Sequence, residues 1–515
     1  MRAGIVLLAL AACATPARMP ANEPESTIHA RALLGHIGTL SSERFEGRAP
    51  GTSGEDLTVE YLQSEMKKSG LAPGNPDGTW VQTVPLAAIT SRATLAFDRD
   101  ELRPVEDFVA WSLRTTPEVR VRESEVVFVG HGISAPERGW NDLQDVDVKG
   151  KTVVFLVGDP FGGPMTYYGR WTYKFEIAAR LGAAAALIVH ETGPAGYGWN
   201  VVSGGAKNAR YEIDDEGSRD AHVGVEGWIH ESTARRLIPD FDRVKAAARR
   251  PGFRPIPLSA RATISIDSTS KPLLSRNVVG RVVGTDLKEE HVVFSSHWDH
   301  FGRNEAGVFH GALDNAAGVA WLLETARAFT SLPALPRRSI LFMATTAEES
   351  GLLGAKFYAA HPLYPLEKTV ANVNMDIPNP WGRTRSVVSL GLGQTTMDAM
   401  LADEAAKQGR QVIADPEGEK GYYFRSDHFE FAKHGVPALG FLFPGADYRD
   451  QPPDFGKHKR QDFVAHRYHS PNDVIAPDWD LAGMVEDTVL LFRVGRRLAN
   501  EDRTPEWSPG AAFRR

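Results

Sequence analysis

A chain of 515 residues is longer than one hydrophobic core ordinarily serves, so two or three domains are expected. Hydrophobic residues make up 42% and charged residues 24%, which excludes a disordered or fibrous chain. The formal charge of −7 leaves no basic footprint, so nucleic acid is excluded as the expected partner. Sixteen histidines and 65 acidic residues are ample material for a hard or borderline metal, but composition alone does not bring them together.

At the N-terminus Met1-Arg2 supplies a positive charge, and residues 4–12 form an almost purely apolar run. That run is too short to cross a bilayer as a helix and has the form of a signal-peptide core. It ends in Leu10-Ala11-Ala12-Cys13, and Cys13 is the only cysteine. One reading is an ordinary signal peptide, cut so that Cys13 is discarded. The small residues before a lone cysteine resemble the bacterial lipoprotein box, which implies acylation of Cys13 as the first mature residue. On that reading the protein is exported and held by its lipid on the cell envelope, at the periplasmic face or outer membrane. Without other thiols, a disulfide framework and a cysteine nucleophile are both excluded.

After this leader and linker (1–25), a first segment (26–122) opens with a mostly helical stretch, 28–71. Ser53 with Asp56 three residues on marks a helix start, and Gly70 a stop. A turn-rich loop, 44–51, precedes that helix. Strand-like pieces follow at 81–84, with a break at Pro85. Segment 123–260 carries short β-rich runs at 126–129, 152–157 and 185–189, one helix near 173–181, and no His or carboxylate cluster of its own. It reads as an inserted β-rich module with a structural or gating role. From 261 to 505 strands and helices alternate, as in an α/β layered domain. Strands are predicted at 277–283, 291–296, 339–345, 369–375, 386–390 and 436–443, and helices at 316–329, 395–408 and 479–498.

In α/β sheets, sites collect at the carboxyl ends of strands. The possible metal ligands fall there repeatedly. His297 and Asp299 follow one strand, Glu348 and Glu349 another, and Asp376 a third. Asp314 opens the helix beginning Asp314-Asn315-Ala316, and His469 sits in a late turn. Imidazole and carboxylate donors suit zinc, and a carboxylate with two oxygens can bridge two ions. Two histidines, a bridging aspartate and two further carboxylates would give each of two zinc ions three protein contacts.

The segments HWDH (297–300), ALDNAAG (312–318), AEESG (347–351), VNMDI (373–377), FRSDHFEF (424–431) and RYHSPND (467–473), in this order, resemble the co-catalytic zinc exopeptidases of metallopeptidase family twenty-eight. FEGRAPGTSGED (45–56) also fits, and the insert is similar to a protease-associated domain. The resemblance implies a three-layer α/β/α domain with a mixed sheet, two zinc ions per chain and peptide substrates. By the same resemblance His297 and Asp376 hold one zinc, Glu349 and His469 the other, and Asp314 bridges them. Glu348 becomes the general base, and Asp299 orients the His297 imidazole.

Aminopeptidase action is expected. A carboxypeptidase of the glutamate-carboxypeptidase type, a non-catalytic receptor and a single-metal cyclase or amidohydrolase are the alternatives. A serine mechanism through Ser426-Asp427-His428 is disfavoured, because no nucleophile elbow surrounds Ser426. His300, His310, His434 and His466 read as loop or surface groups. Tyr422, Tyr423 and Tyr448 are candidates for oxyanion stabilisation, and Arg383, Arg425, Arg449 and Arg467 for a carboxylate clamp. The sequence leaves the oligomeric state open.

Overall fold

The computed structural model describes residues 24–204, 209–215, 217, 221–442, 447–511 and 513. Cys13 and the leader lie outside the described residues. Among those residues no helix is long and apolar enough to cross a membrane.

The centre of the C-terminal half is a run of strands in the order Ala438–Leu442, Thr369–Asp376, Leu287–His297, Arg338–Thr345 and Ile256–Val282. The first four are mutually parallel, and Ile256–Val282 runs antiparallel to Arg338–Thr345, so the sheet is mixed. Alternating side chains enter two different cores, as the two-residue period of a strand requires. Val292 and Phe294 pack with helices Ala30–Leu40, Ala317–Thr330 and Ala482–Asn500 on one face. Val293, Leu341 and Met343 pack against Tyr358 and Phe431, from helices Leu353–Ala360 and His428–Lys433, on the other. A sheet covered on both faces gives near-continuous apolar strands, and Arg338–Thr345 is buried throughout.

The sheet continues past Ile256–Val282 through Glu118–Phe128, Thr152–Leu156, Ala185–His190, Val225–His230 and Phe108–Trp111. One apolar core there gathers residues from Leu95 to Ile266, so packing of this part begins upstream of residue 123.

Two sequence expectations need correction, and one helix goes unpredicted. Pro85 does not break its strand. Val81–Phe97 runs unbroken because Pro85 and Leu86 still pair with Leu274 and Leu273 of Ile256–Val282. The strand predicted at 386–390 forms as Ser386–Ser389, in a separate two-stranded sheet with Gln411–Ala414. Asp314 does not open a regular helix. Its backbone and that of Asn315 are non-helical within the turn Ala312–Ala316, and the helix starts at Ala317. Helix Phe455–His466 is not legible in the sequence, because only Gly456, Arg460 and Phe463 of its residues are buried.

Candidate metal centre

Three parallel strands deliver the acidic and imidazole groups to one place. His297 ends Leu287–His297, Asp376 ends Thr369–Asp376, and Glu348 and Glu349 lie in the short turn after Arg338–Thr345. His297 Nε2 stands 3.4 Å from Asp376 Oδ1, 3.4 Å from Asp314 Oδ1 and 3.8 Å from Glu348 Oε2. On the far side of Asp314, Oδ2 lies 3.4 Å from His469 Nε2, which is 3.1 Å from Glu349 Oε2. Asp314 therefore offers one oxygen to each histidine. Potential ligand atoms of His297, Glu348 and Asp376 lie within 4.8 Å of one another, as do those of His297, Asp314 and Glu349.

The supports of this cluster are equally defined. Asp473 accepts the main-chain N–H groups of Leu313 (3.1 Å) and Asp314 (2.9 Å). Asn315 Oδ1 accepts from Gly318 N at 2.9 Å and caps the following helix, while its amide donates to Ser296. Arg48, fully buried, reaches across from the loop after Phe45. It donates to the carbonyls of Trp298, Leu40, His310 and Gly311 at 2.7–2.9 Å. Gly47 lets that loop approach, since a Cβ there would meet the Gly302 carbonyl oxygen at 2.3 Å.

Asp299 acts somewhat differently from expectation. Its carboxylate is 3.7 Å from His297 Nδ1, too long for a hydrogen bond, and the Asp299 carbonyl is the nearer acceptor at 3.2 Å. The carboxylate instead accepts the N–H groups of Glu348 (3.0 Å) and Glu349 (3.4 Å) and so fixes the turn that carries both. His300 is buried, and its Nδ1 lies 2.6 Å from Glu349 Oε1, which corrects its reading as a surface group.

Charge in this cluster is heavily acidic and buried. Burial, then the neighbouring Asp376 and Glu349, hold the Glu348 carboxyl well above its ordinary range, although His297 opposes this. Burial disfavours the charged form of His297, but Glu348 and Asp376 outweigh it and raise its pKa well above 6.5. Burial also lifts Asp427, which accepts a hydrogen bond from Thr345, to about 7. Carboxylates this close need cations between them, and the donor set contains no thiolate. The residues fit divalent metal binding of the zinc type.

Ser426, Asp427 and His428 do not form a triad. Ser426 Oγ accepts from Asn374 Nδ2 at 2.8 Å, and neither ring nitrogen of buried His428 has a hydrogen-bond partner among the described residues. Of the tyrosine candidates, only Tyr422 lines the cleft above the centre, a cavity of about 560 Å³. Tyr448 is committed to Asn379 at 2.7 Å. Sequence reasoning missed Tyr468, whose ring stacks on His469 with centroids 3.6 Å apart and also lines the cleft. Its place beside His469 in the sequence was the available signal.

The sequence model of Peptidase family M28 matches residues 277–493, the stretch that holds every residue of this centre except Arg48. The match spans less than half of the chain and stands as a likeness to that family. Among its relatives, mouse aminopeptidase NAALADL1 is 34% identical over 212 residues, 38% of this chain and 26% of that protein. The chain thus spans about a quarter of the length of the first of its curated relatives. A probable leucine aminopeptidase 2 of Aspergillus oryzae is 25% identical over 78% of this chain and 69% of its own. Among solved structures, an aminopeptidase of Aneurinibacillus sp. strain AM-1 shares 19% identity and a TM-score of 0.53, covering 95% of this chain and 97% of its own. A zinc aminopeptidase of Bacillus subtilis gives 19% and 0.50, covering 93% and 97%. These two establish a common fold.

Proposed function

We propose that this chain is an exopeptidase, acting as an aminopeptidase, whose centre holds two zinc ions. The observation that carries the reading is Asp314, with one oxygen facing His297 and the other facing His469. Asp376 would complete the first zinc site and Glu349 the second. When bound, the two ions would supply Lewis acidity to a water and to the scissile carbonyl. Everything else is done by the chain. Glu348, anchored through its own N–H by Asp299, takes the water proton and returns it to the leaving amine. The acidic surroundings of the centre suit a substrate's free α-ammonium. Relatives named as aminopeptidases support the same end of the peptide.

Two further parts of the reading rest on sequence. The leader would place the mature protein on the outside of the cytoplasmic membrane, anchored through a lipid on Cys13. The insert, similar to a protease-associated domain, would close one side of the cleft. Metal analysis of the purified protein should return close to two zinc ions per chain. The same preparation should cleave a free-amine aminoacyl anilide and spare an N-acetylated dipeptide. Cleavage of the blocked dipeptide alone would move the assignment to a carboxypeptidase and leave the metal centre standing.

A further inference from the structure

The cleft above the metal centre adjoins a second space. The cavity of about 560 Å³ that takes in Asp314, Glu348, Glu349, Asp376 and His469 meets another of about 290 Å³. Tyr197, Val201, Tyr422 and Val464 line both, so these four form a neck where the cavities meet. Tyr197 and Val201 come from segment 123–260, and Tyr422 and Val464 from the C-terminal half. The neck is held in place from both sides. Arg425 packs on its two tyrosines, with Cζ 5.0 Å from the ring centre of Tyr422 and 5.6 Å from that of Tyr197. The same guanidinium donates to the carbonyls of Ala195 (3.1 Å) and Lys420 (2.7 Å), which ties the chain just before Tyr197 to the chain just before Tyr422. Met165 N donates to the Gly418 carbonyl at 2.9 Å, a second link between the same two parts.

Helix Phe455–His466 supplies one wall of the second cavity. Arg460, Gln461, Val464 and Ala465 line it, and their spacing puts them on one side of the helix. Beyond the helix end the chain keeps its course, because Arg467 N and Tyr468 N both donate to the Phe463 carbonyl, at 2.9 and 2.8 Å. That side therefore leads to Tyr468, whose ring stacks on His469. At a helical rise of about 1.5 Å per residue, Gln461 stands roughly 10 Å along this wall from Tyr468. An extended peptide advances roughly 3.3–3.6 Å per residue and covers that length in about three residues.

The charges of the second cavity are settled within the chain. Glu417 lies 2.5 Å from Lys420 Nζ and 3.0 Å from Arg460 Nε. Asn200 and Gln461 are exposed, and neither side-chain amide is hydrogen-bonded among the described residues. A side-chain amide carries both donor and acceptor, so it matches the N–H and C=O of a peptide main chain whatever the side chains are.

We propose that the second cavity is a tail subsite, which receives the main chain of a peptide substrate several residues beyond the cleaved bond. This rests on the peptidase reading of the centre. The substrate class follows from the length of the wall. Peptides of about four or five residues and longer reach the Asn200 and Gln461 amides, whereas di- and tripeptides stop short of them.

The test measures kcat/KM for Leu-(Ala)n-amide, with n from 1 to 6, in the wild type, Asn200→Trp, Gln461→Ala and Ala465→Trp. C-terminal amides keep end charge out of the comparison, and the readout is the ratio of n = 6 to n = 1 within each protein. The wild-type ratio should reach roughly 10-fold, the scale of one or two hydrogen bonds, with the rise falling between n = 3 and n = 5. An indole at exposed Asn200 or Ala465 fills the cavity and should bring the ratio close to one. Gln461→Ala should lower it part of the way. A flat wild-type series, a rise complete by n = 2, or a ratio that survives both tryptophans would overturn the tail subsite and leave the peptidase reading intact. Were no peptide cleaved at all, the peptidase reading would fail by itself, and calorimetric binding of the n = 1 and n = 6 amides would decide the subsite. Tighter binding of the longer amide that is lost in Ala465→Trp upholds it, and binding independent of length, or none, refutes it.

Discussion

Arg48 donates its Nε–H to the carbonyl of Trp298 at 2.9 Å, one residue beyond His297. The same guanidinium holds the carbonyls of His310 and Gly311, at the root of the turn that bears Asp314. A single side chain from the first helical segment therefore ties together the loops that bear His297 and Asp314. Lysine keeps the charge but cannot span four carbonyls with one ammonium. Arg48→Lys should lose about 3 kcal/mol of stability or more, since several buried carbonyls lose their donor. Thermal melting and zinc content should fall together. A variant that melts with the wild type and loads zinc normally would show that the loops are held by other contacts.

Glu348 and Glu349 are neighbours in one turn with different partners. Glu349 faces His469 and His300, whereas Glu348 faces His297 at a longer 3.8 Å. Glu348→Gln keeps the shape and removes the base, so zinc content should hold while kcat falls by at least ~10²-fold. Glu349→Gln should lose zinc along with activity. Metal loss of equal size in both variants would contradict the division of roles.

Asp314 provides a sharper version of the same measurement. Its two oxygens face two histidines, so Asp314→Ala should deplete both metal positions, whereas Asp376→Ala should deplete one first. Stoichiometry during chelator titration reads this directly. Retention of two tightly held ions in Asp314→Ala would show that it does not bridge.

The strand ends were legible because a sheet buried on both faces writes unbroken apolar runs, and a His or Asp at the end of such a run stands out. Arg338–Thr345 and Thr369–Asp376 were located this way to within a residue. Helix Phe455–His466 was not legible, because Gly456, Arg460 and Phe463 make too narrow a buried stripe to register as a period. Asp473 was inside a recognised motif, yet its grip on the Asp314 backbone is a contact across 159 residues.

Segment 123–260 does hold a His–carboxylate cluster, contrary to the sequence expectation, and its His222 makes stability dependent on pH. Its Nε2 is 2.9 Å from Glu212 and its Nδ1 2.8 Å from Glu226. Burial alone would lower its pKa, but these two carboxylates outweigh burial and raise it to about 10. In the unfolded chain a histidine titrates near ~6.5. Below that value both states carry the proton and the pairing contributes in full, on the order of 2–4 kcal/mol. Between pH 6.5 and about 10 the folded state holds a proton that the unfolded state has released, so the contribution declines. Above about 10 it is gone. Melting temperatures of the wild type and His222→Gln, measured from pH 6 to pH 10.5, should therefore differ most at pH 6 and converge at the alkaline end. A gap that stayed constant across this range would mean that the imidazole is held neutral, donating to one carboxylate only, and that the Glu212–His222–Glu226 cluster is not an ionic one.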